Sequence, residues 1–101
     1  MKPVQIGRLA RAEIDSALAD SRRRNPARAA VFQQTIDAAL ATISANPQIA
    51  AVVSRAGDRM YVLGRRFPYS IVYVEEPTVV RVIAFARHGR QFRYWRRRLR
   101  P

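Results

Sequence analysis

The sequence predicts an α+β fold: an N-terminal antiparallel helical hairpin packed on a small antiparallel β-meander. Three observations predict it. Apolar residues recur at helical spacing as far as residue 46, residues 58–87 are rich in alternating β-branched and aromatic side chains, and Asn-Pro, Gly or Glu-Pro breaks separate the runs. No internal repeat, low-complexity segment or composition shift divides the chain, so residues 1–101 read as one domain with a basic C-terminal segment, 91–101.

Pro3 to Gly7 carries only a weak signal for a short first strand. From about Leu9 the pattern is helical, with Ile14 and Leu18 four apart and Ala10 and Ala17 on a neighbouring stripe. Arg22, Arg23 and Arg24 fall near the end of that helix, where cations suit the helix dipole. Asn25-Pro26 then restarts the chain. Asn is a good N-cap, and Pro at the first helical position gives up no needed hydrogen bond. Phe32, Ile36, Ala39, Leu40 and Ile43 form one apolar face of the second helix, which Asn46-Pro47 ends. So short a break between two helices predicts a hairpin.

Gln48 to Gly57 reads as a linker with a small apolar patch at Ile49 to Val53. Three strands follow. Arg59 to Leu63 is the first, with Gly64-Arg65-Arg66 as its turn. Tyr69 to Val74 is the second, placing Tyr69, Ile71 and Tyr73 on one face and Ser70, Val72 and Val74 on the other. Glu75 to Thr78 makes a hairpin loop into the third, Val79 to Ala86. Both faces are apolar, so the helices must cover one of them. From Gln91 the chain is expected to form a short helix or an extension.

Composition bounds the function. Lys and Arg number 19 against 7 acids, a net charge of +12, and every basic residue except Lys2 is arginine. Residues 1–54 hold 7 basic and 4 acidic groups, whereas residues 55–101 hold 12 and 3, and no acid follows Arg81. Such clustering favours a polyanionic partner, and arginine suits bidentate contact with phosphate or carboxylate. There is no cysteine and one histidine, which excludes disulfides and leaves no ligand set for a metal. No glycine-rich phosphate loop occurs and no serine has triad partners, so no cofactor is expected. No apolar run approaches the ~18 residues of a membrane span, and the N-terminus lacks a signal-peptide core. A soluble, cytoplasmic protein is expected.

Several pieces then become familiar together: Asn25-Pro26 with Ala29 and Phe32, Gly57 with Arg59, Arg66-Phe67-Pro68-Tyr69-x-Ile71-x-Tyr73, and finally His88-Gly89-Arg90 with Tyr94-Trp95. In this order the chain resembles the RelE/ParE superfamily, the toxins of type II toxin–antitoxin (plasmid stabilisation) systems. The resemblance covers nearly the whole chain. It implies a heteromeric complex with a cognate antitoxin, expected here to be acidic, and a target that is ribosome-bound mRNA for some members and DNA gyrase for others.

Three functions stay in play: a ParE-like toxin that binds gyrase, a RelE-like ribosome-dependent mRNA endoribonuclease, and a small basic nucleic-acid-binding protein. A nuclease needs a base for the 2′-OH, cations for the phosphorane and an acid for the leaving oxygen. His88, Arg66, Arg90 and Tyr94 are the candidates for that chemistry. Target binding, with or without catalysis, falls to Arg59, Arg65, Arg66, Arg87, Arg90, Tyr94, Trp95, Arg96, Arg97 and Arg98. Several have a structural alternative: His88 as a strand-end cap, Tyr94 and Trp95 as anchors of the C-terminal segment, Arg65 and Arg66 as turn residues, and Arg96 to Arg98 as a solvated tail. Ser70 stands where the nucleases resembled carry a basic residue, and no acid lies in 46–57 to serve as a general base. Both departures favour gyrase binding over catalysis.

Overall fold

A computed structural model describes residues 1–99. The helical hairpin is formed by α1 (Arg8–Arg24) and α2 (Pro26–Ala45). Asn25 makes the break as expected: its backbone N–H closes α1 on Ser21, and its side-chain oxygen caps α2 by accepting from the Arg28 amide at 3.1 Å. Ile14 and Leu18 of α1 and Phe32, Ile36 and Ile43 of α2 are buried against one sheet face.

The sheet is larger than the predicted meander. Its strands are β1 (Val4–Ile6), β2 (Ala51–Val52), β3 (Arg59–Val62), β4 (Tyr69–Glu75) and β5 (Val80–Arg87), in the spatial order β1-β5-β4-β3-β2. The β3–β4–β5 core is the antiparallel meander. At one edge the weakly signalled β1 pairs parallel to β5, Val4 opposite Val80 and Ile6 opposite Val82. At the other, the segment expected to be a linker supplies β2, paired with β3, and buries Ala50. A three-residue strand held by a partner more than seventy residues away leaves almost no local signature.

The alternation in β4 is as predicted. Tyr69, Ile71 and Tyr73 face the helices, while Ser70, Val72 and Val74 face away. A bulge between Val72 and Tyr73 lets Val82 and Phe85 both face the helices, with Ile83 and Ala84 opposite. The far face does not remain bare. The chain after β5 turns at Gly89 (φ 91°), crosses that face and ends in a short 3-10 helix, Arg96–Leu99. Trp95 seals a second core there with Val72, Ile83, Ala84 and Ala86. The rest of the predicted C-terminal segment, residues 100–101, lies outside the described residues.

Candidate target-binding site

Four parts of the fold bring arginines to one end of the molecule. They are the last turn of α1 (Arg23, Arg24), the first turn of α2 (Arg28), the β3–β4 turn (Arg65, Arg66) and the end of β5 with its turn (Arg87, Arg90). The parts are tied together by their backbone. The His88 amide donates to the Pro68 carbonyl at 2.8 Å, and the Arg28 guanidinium donates to the Arg66 carbonyl. Phe67 is buried between them and stacks on Phe32 with centroids 4.6 Å apart.

Between α1 and the end of β5 runs an open cleft of about 590 Å³. Its floor is apolar, with Leu9, Ala17 and the stacked pair Tyr69 and Phe85, whose centroids are 4.7 Å apart. Its rim is cationic, with Arg23, Arg24, Arg87, Arg90 and Arg98. A smaller hollow of about 230 Å³ shares Arg24, Tyr69 and Arg87 with it and extends to Arg28, Arg66 and Phe67. An apolar floor under a guanidinium rim suits an amphipathic acidic segment.

Glu13 organises the wall of the cleft. β1 pairs with β5 only as far as Val82, which leaves the next stretch of β5 without a strand on that side. Glu13 accepts the Phe85 amide at 3.0 Å there, along with the Tyr94 hydroxyl at 2.7 Å and Arg98 at 2.8 Å. Arg90 approaches the same carboxylate at 3.3 Å and lies 3.6 Å above the Tyr94 ring. Burial alone would raise the Glu13 carboxyl, but the bonds from Arg98, the Phe85 amide and Tyr94 outweigh it and hold it below its ordinary value. Tyr94 is shifted the other way, raised by burial and by donating to a carboxylate.

A second carboxylate, Asp58, pins the C-terminal segment on the far face. It is fully buried just before β3 and accepts Trp95 Nε1 at 2.9 Å and Arg93 Nε at 3.4 Å, with the Ser54 hydroxyl on its other oxygen. Arg93 takes a left-handed backbone (φ 57°), uncommon for a long side chain, and its guanidinium also donates to Ser54 at 2.9 Å. Burial would raise Asp58, and the Ser54 and Trp95 bonds with the Arg93 charge overcome it, so this acid also titrates low.

His88 is exposed at the end of β5, with Nε2 2.8 Å from the hydroxyl of buried Ser70. A small apolar hollow of about 240 Å³ beside it is lined by Met60, Phe92 and Trp95, with Arg87 and Arg90 at its edge.

Comparison with known proteins bears on what this end is for. Residues 4–92 match the family described as "ParE toxin of type II toxin-antitoxin system, parDE". The chain belongs to that family. No curated protein matches the sequence significantly. Among solved structures, the "Chromosomal ParDE TA system from P. aeruginosa" superposes with a TM-score of 0.71 at 19% identity, covering 86% of this chain and 96% of that one. At that identity the likeness is one of fold, and it agrees with two helices on a mostly antiparallel five-stranded sheet. As a toxin of a type II system, the protein has an antitoxin for a partner.

Within this ParE-family chain the predicted site residues divide. Arg65, Arg66, Arg87 and Arg90 are exposed at the arginine end, and Arg96 and Arg97 are exposed on the 3-10 helix. Four others are committed to the fold. Trp95 is only 2% exposed and its N–H is taken by Asp58, so it is an anchor of the C-terminal segment, which corrects its expected role in target binding. Arg59 braces the loop before β2, donating to the carbonyl of Ala50 at 2.7 Å. Tyr94 and Arg98 are bound to Glu13. Glu13 and Asp58 went unread in the sequence. The only hint was Asp58 standing as the lone acid between Asp37 and Glu75. Among the described residues no cluster of His, Cys, Asp and Glu could hold a metal, and no helix is long and apolar enough to cross a membrane.

Proposed function

We propose that this single toxin unit acts in the cytoplasm by binding DNA gyrase, without chemistry of its own, and is neutralised by an acidic antitoxin. One observation carries this reading: the acid–base groups near the arginines are already engaged. Glu13 is saturated by donors, the Tyr94 hydroxyl is held as a hydrogen-bond donor to Glu13, and Asp58 is buried under Trp95. RNA cleavage would need a base free to take the 2′-OH proton and an acid free to return one. His88 is exposed but its Nε2 meets the Ser70 hydroxyl at 2.8 Å, and the other exposed groups at this end are guanidiniums, which bind rather than transfer protons at neutral pH. The antitoxin's acidic segment is assigned to the cleft between α1 and β5, its apolar side chains on Tyr69 and Phe85 and its carboxylates on Arg23, Arg87 and Arg90.

A second reading, ribosome-dependent mRNA cleavage, draws on His88 standing exposed beside Arg87, Arg90 and the hollow under Phe92. One paired assay separates the two. The purified toxin should inhibit gyrase supercoiling of plasmid DNA, leave ribosome-bound mRNA uncut and lose its effect when antitoxin is added. Cut mRNA with unimpaired supercoiling would reverse the assignment.

A further inference from the structure

Beyond the antitoxin cleft, the tip of the arginine end has different chemistry. Arg28, Arg65, Arg66 and Arg87 are exposed there, and among the described residues none of the four has a carboxylate within ion-pairing distance. The acid nearest them in the lining, Asp20, is taken by Arg23 at 3.2 Å and Arg24 at 3.4 Å. Uncompensated arginines are costly to crowd, and here two of them are held in place. Arg28 reaches the Arg66 carbonyl, and both guanidiniums lie over the Phe67 ring, at 4.9 and 6.0 Å from its centroid. Their carbons are therefore within about 11 Å of one another.

We propose that this tip binds the phosphate backbone of duplex nucleic acid. A guanidinium held over a ring by cation–π attraction still has N–H groups to offer phosphate, although Arg28 spends one on the Arg66 carbonyl. Because those cations cover the ring, the tip offers little apolar surface for the side chains of an acidic peptide. Nor does it offer a bare aromatic on which unpaired bases would stack, the usual device of single-strand binders. Fixed charges without either feature match a ligand recognised through phosphate alone. The proposal extends the gyrase reading, since gyrase works on a duplex that a bound toxin would then also touch. It does not depend on that reading.

Fluorescence anisotropy of the full-length toxin on labelled duplexes of about 24 base pairs, titrated from ~50 to ~200 mM salt, tests it. Separate DNA and RNA duplex arms identify which the tip prefers, and binding to either supports the proposal. Arg28→Gln/Arg65→Gln/Arg66→Gln should lower the slope of log K against log salt by about two to three. Arg65→Gln alone, at an exposed turn position, should lower it by about one even if the triple variant folds poorly. A control with equal charge loss, Arg8→Gln/Arg11→Gln/Arg55→Gln, should change the slope far less. Equal losses in both triple variants would reduce the effect to net charge and overturn the proposal. So would tighter binding of a single strand, or of polyglutamate through the same arginines. A toxin that inhibits gyrase yet binds no duplex at low salt would sink this proposal alone and leave the functional reading standing.

Discussion

Trp95 Nε1 donates to Asp58 Oδ2 at 2.9 Å across 37 residues of sequence, joining the turn before the 3-10 helix to the residue that precedes β3. The bond fastens the C-terminal segment over the second face of the sheet, and Arg93 and Ser54 complete the clasp. A fully buried carboxylate with this many donors is sensitive to change in a way that a surface ion pair is not. Asp58→Asn keeps the shape but removes the charge, and should cost about 2–3 kcal/mol. Trp95 is the only tryptophan, so its fluorescence during urea unfolding reads the loss directly. A cost below about 0.5 kcal/mol would show that the segment is held by packing alone.

The helical side of the sheet depends on Phe32. Its ring stacks on Phe67, tilts against Tyr69 at 5.4 Å and lies 6.1 Å from Phe85, linking α2 to the β3–β4 turn and to both central strands. Phe32→Ala should cost about 3–5 kcal/mol by equilibrium unfolding. It should also loosen the arginine tip, because Phe67 would lose its stacking partner. An effect smaller than about 1 kcal/mol would mean that the cavity collapses without penalty.

How far the sequence foretold this arrangement follows from the range of each interaction. The hairpin was legible because Asn25-Pro26 and the spacing of Phe32, Ile36 and Ile43 are local signals. The three central strands were legible from alternation and turns. β1 was only weakly legible, because Val4 to Ile6 becomes a strand through a partner more than seventy residues away, and β2 was not, because Ala51-Val52 is too short to show alternation. At the site, the sequence pointed to arginine clustering but not to which guanidiniums stay free. Arg98 and Arg59 are bound to Glu13 and to the Ala50 carbonyl, contacts that only the fold creates. Trp95 could be read either as a target contact or as an anchor of the C-terminal segment, and only its burial on the far face, with Asp58 on its N–H, decides for the anchor.

Acid should weaken both sides of the C-terminal segment. Glu13 and Asp58 are held below their ordinary values of 4.5 and 3.8. A carboxyl depressed by folding contributes stability that is complete above its unfolded value and is lost as pH falls through the folded one. Stability should therefore be level down to about pH 5 and decline below it. General repulsion among the cations also grows in acid, so the comparison that matters is with Glu13→Gln/Asp58→Asn. That variant should be less stable at neutral pH and show a shallower acid decline. An unchanged slope in denaturant midpoint against pH would place the sensitivity elsewhere.

His88 decides between binding and cleavage. Its Nε2 is engaged by the Ser70 hydroxyl at 2.8 Å, while its backbone amide holds the β3–β4 turn through Pro68. Only the side chain changes in His88→Gln, so the turn should stay tied. If the toxin works by binding gyrase, no proton passes through His88, and the variant should arrest growth almost as well as the parent. Removing charge should act differently. Arg96→Ala/Arg97→Ala spares Arg98, which must remain on Glu13, and should weaken target binding about tenfold at low salt. That difference should shrink as salt rises and screens exposed charges. Growth curves, gyrase inhibition and far-UV circular dichroism on the same two variants provide the comparison. A well-folded His88→Gln protein that no longer arrests growth, with mRNA cleavage products seen only for the parent, would establish proton transfer at His88 and transfer the toxin to the nuclease class.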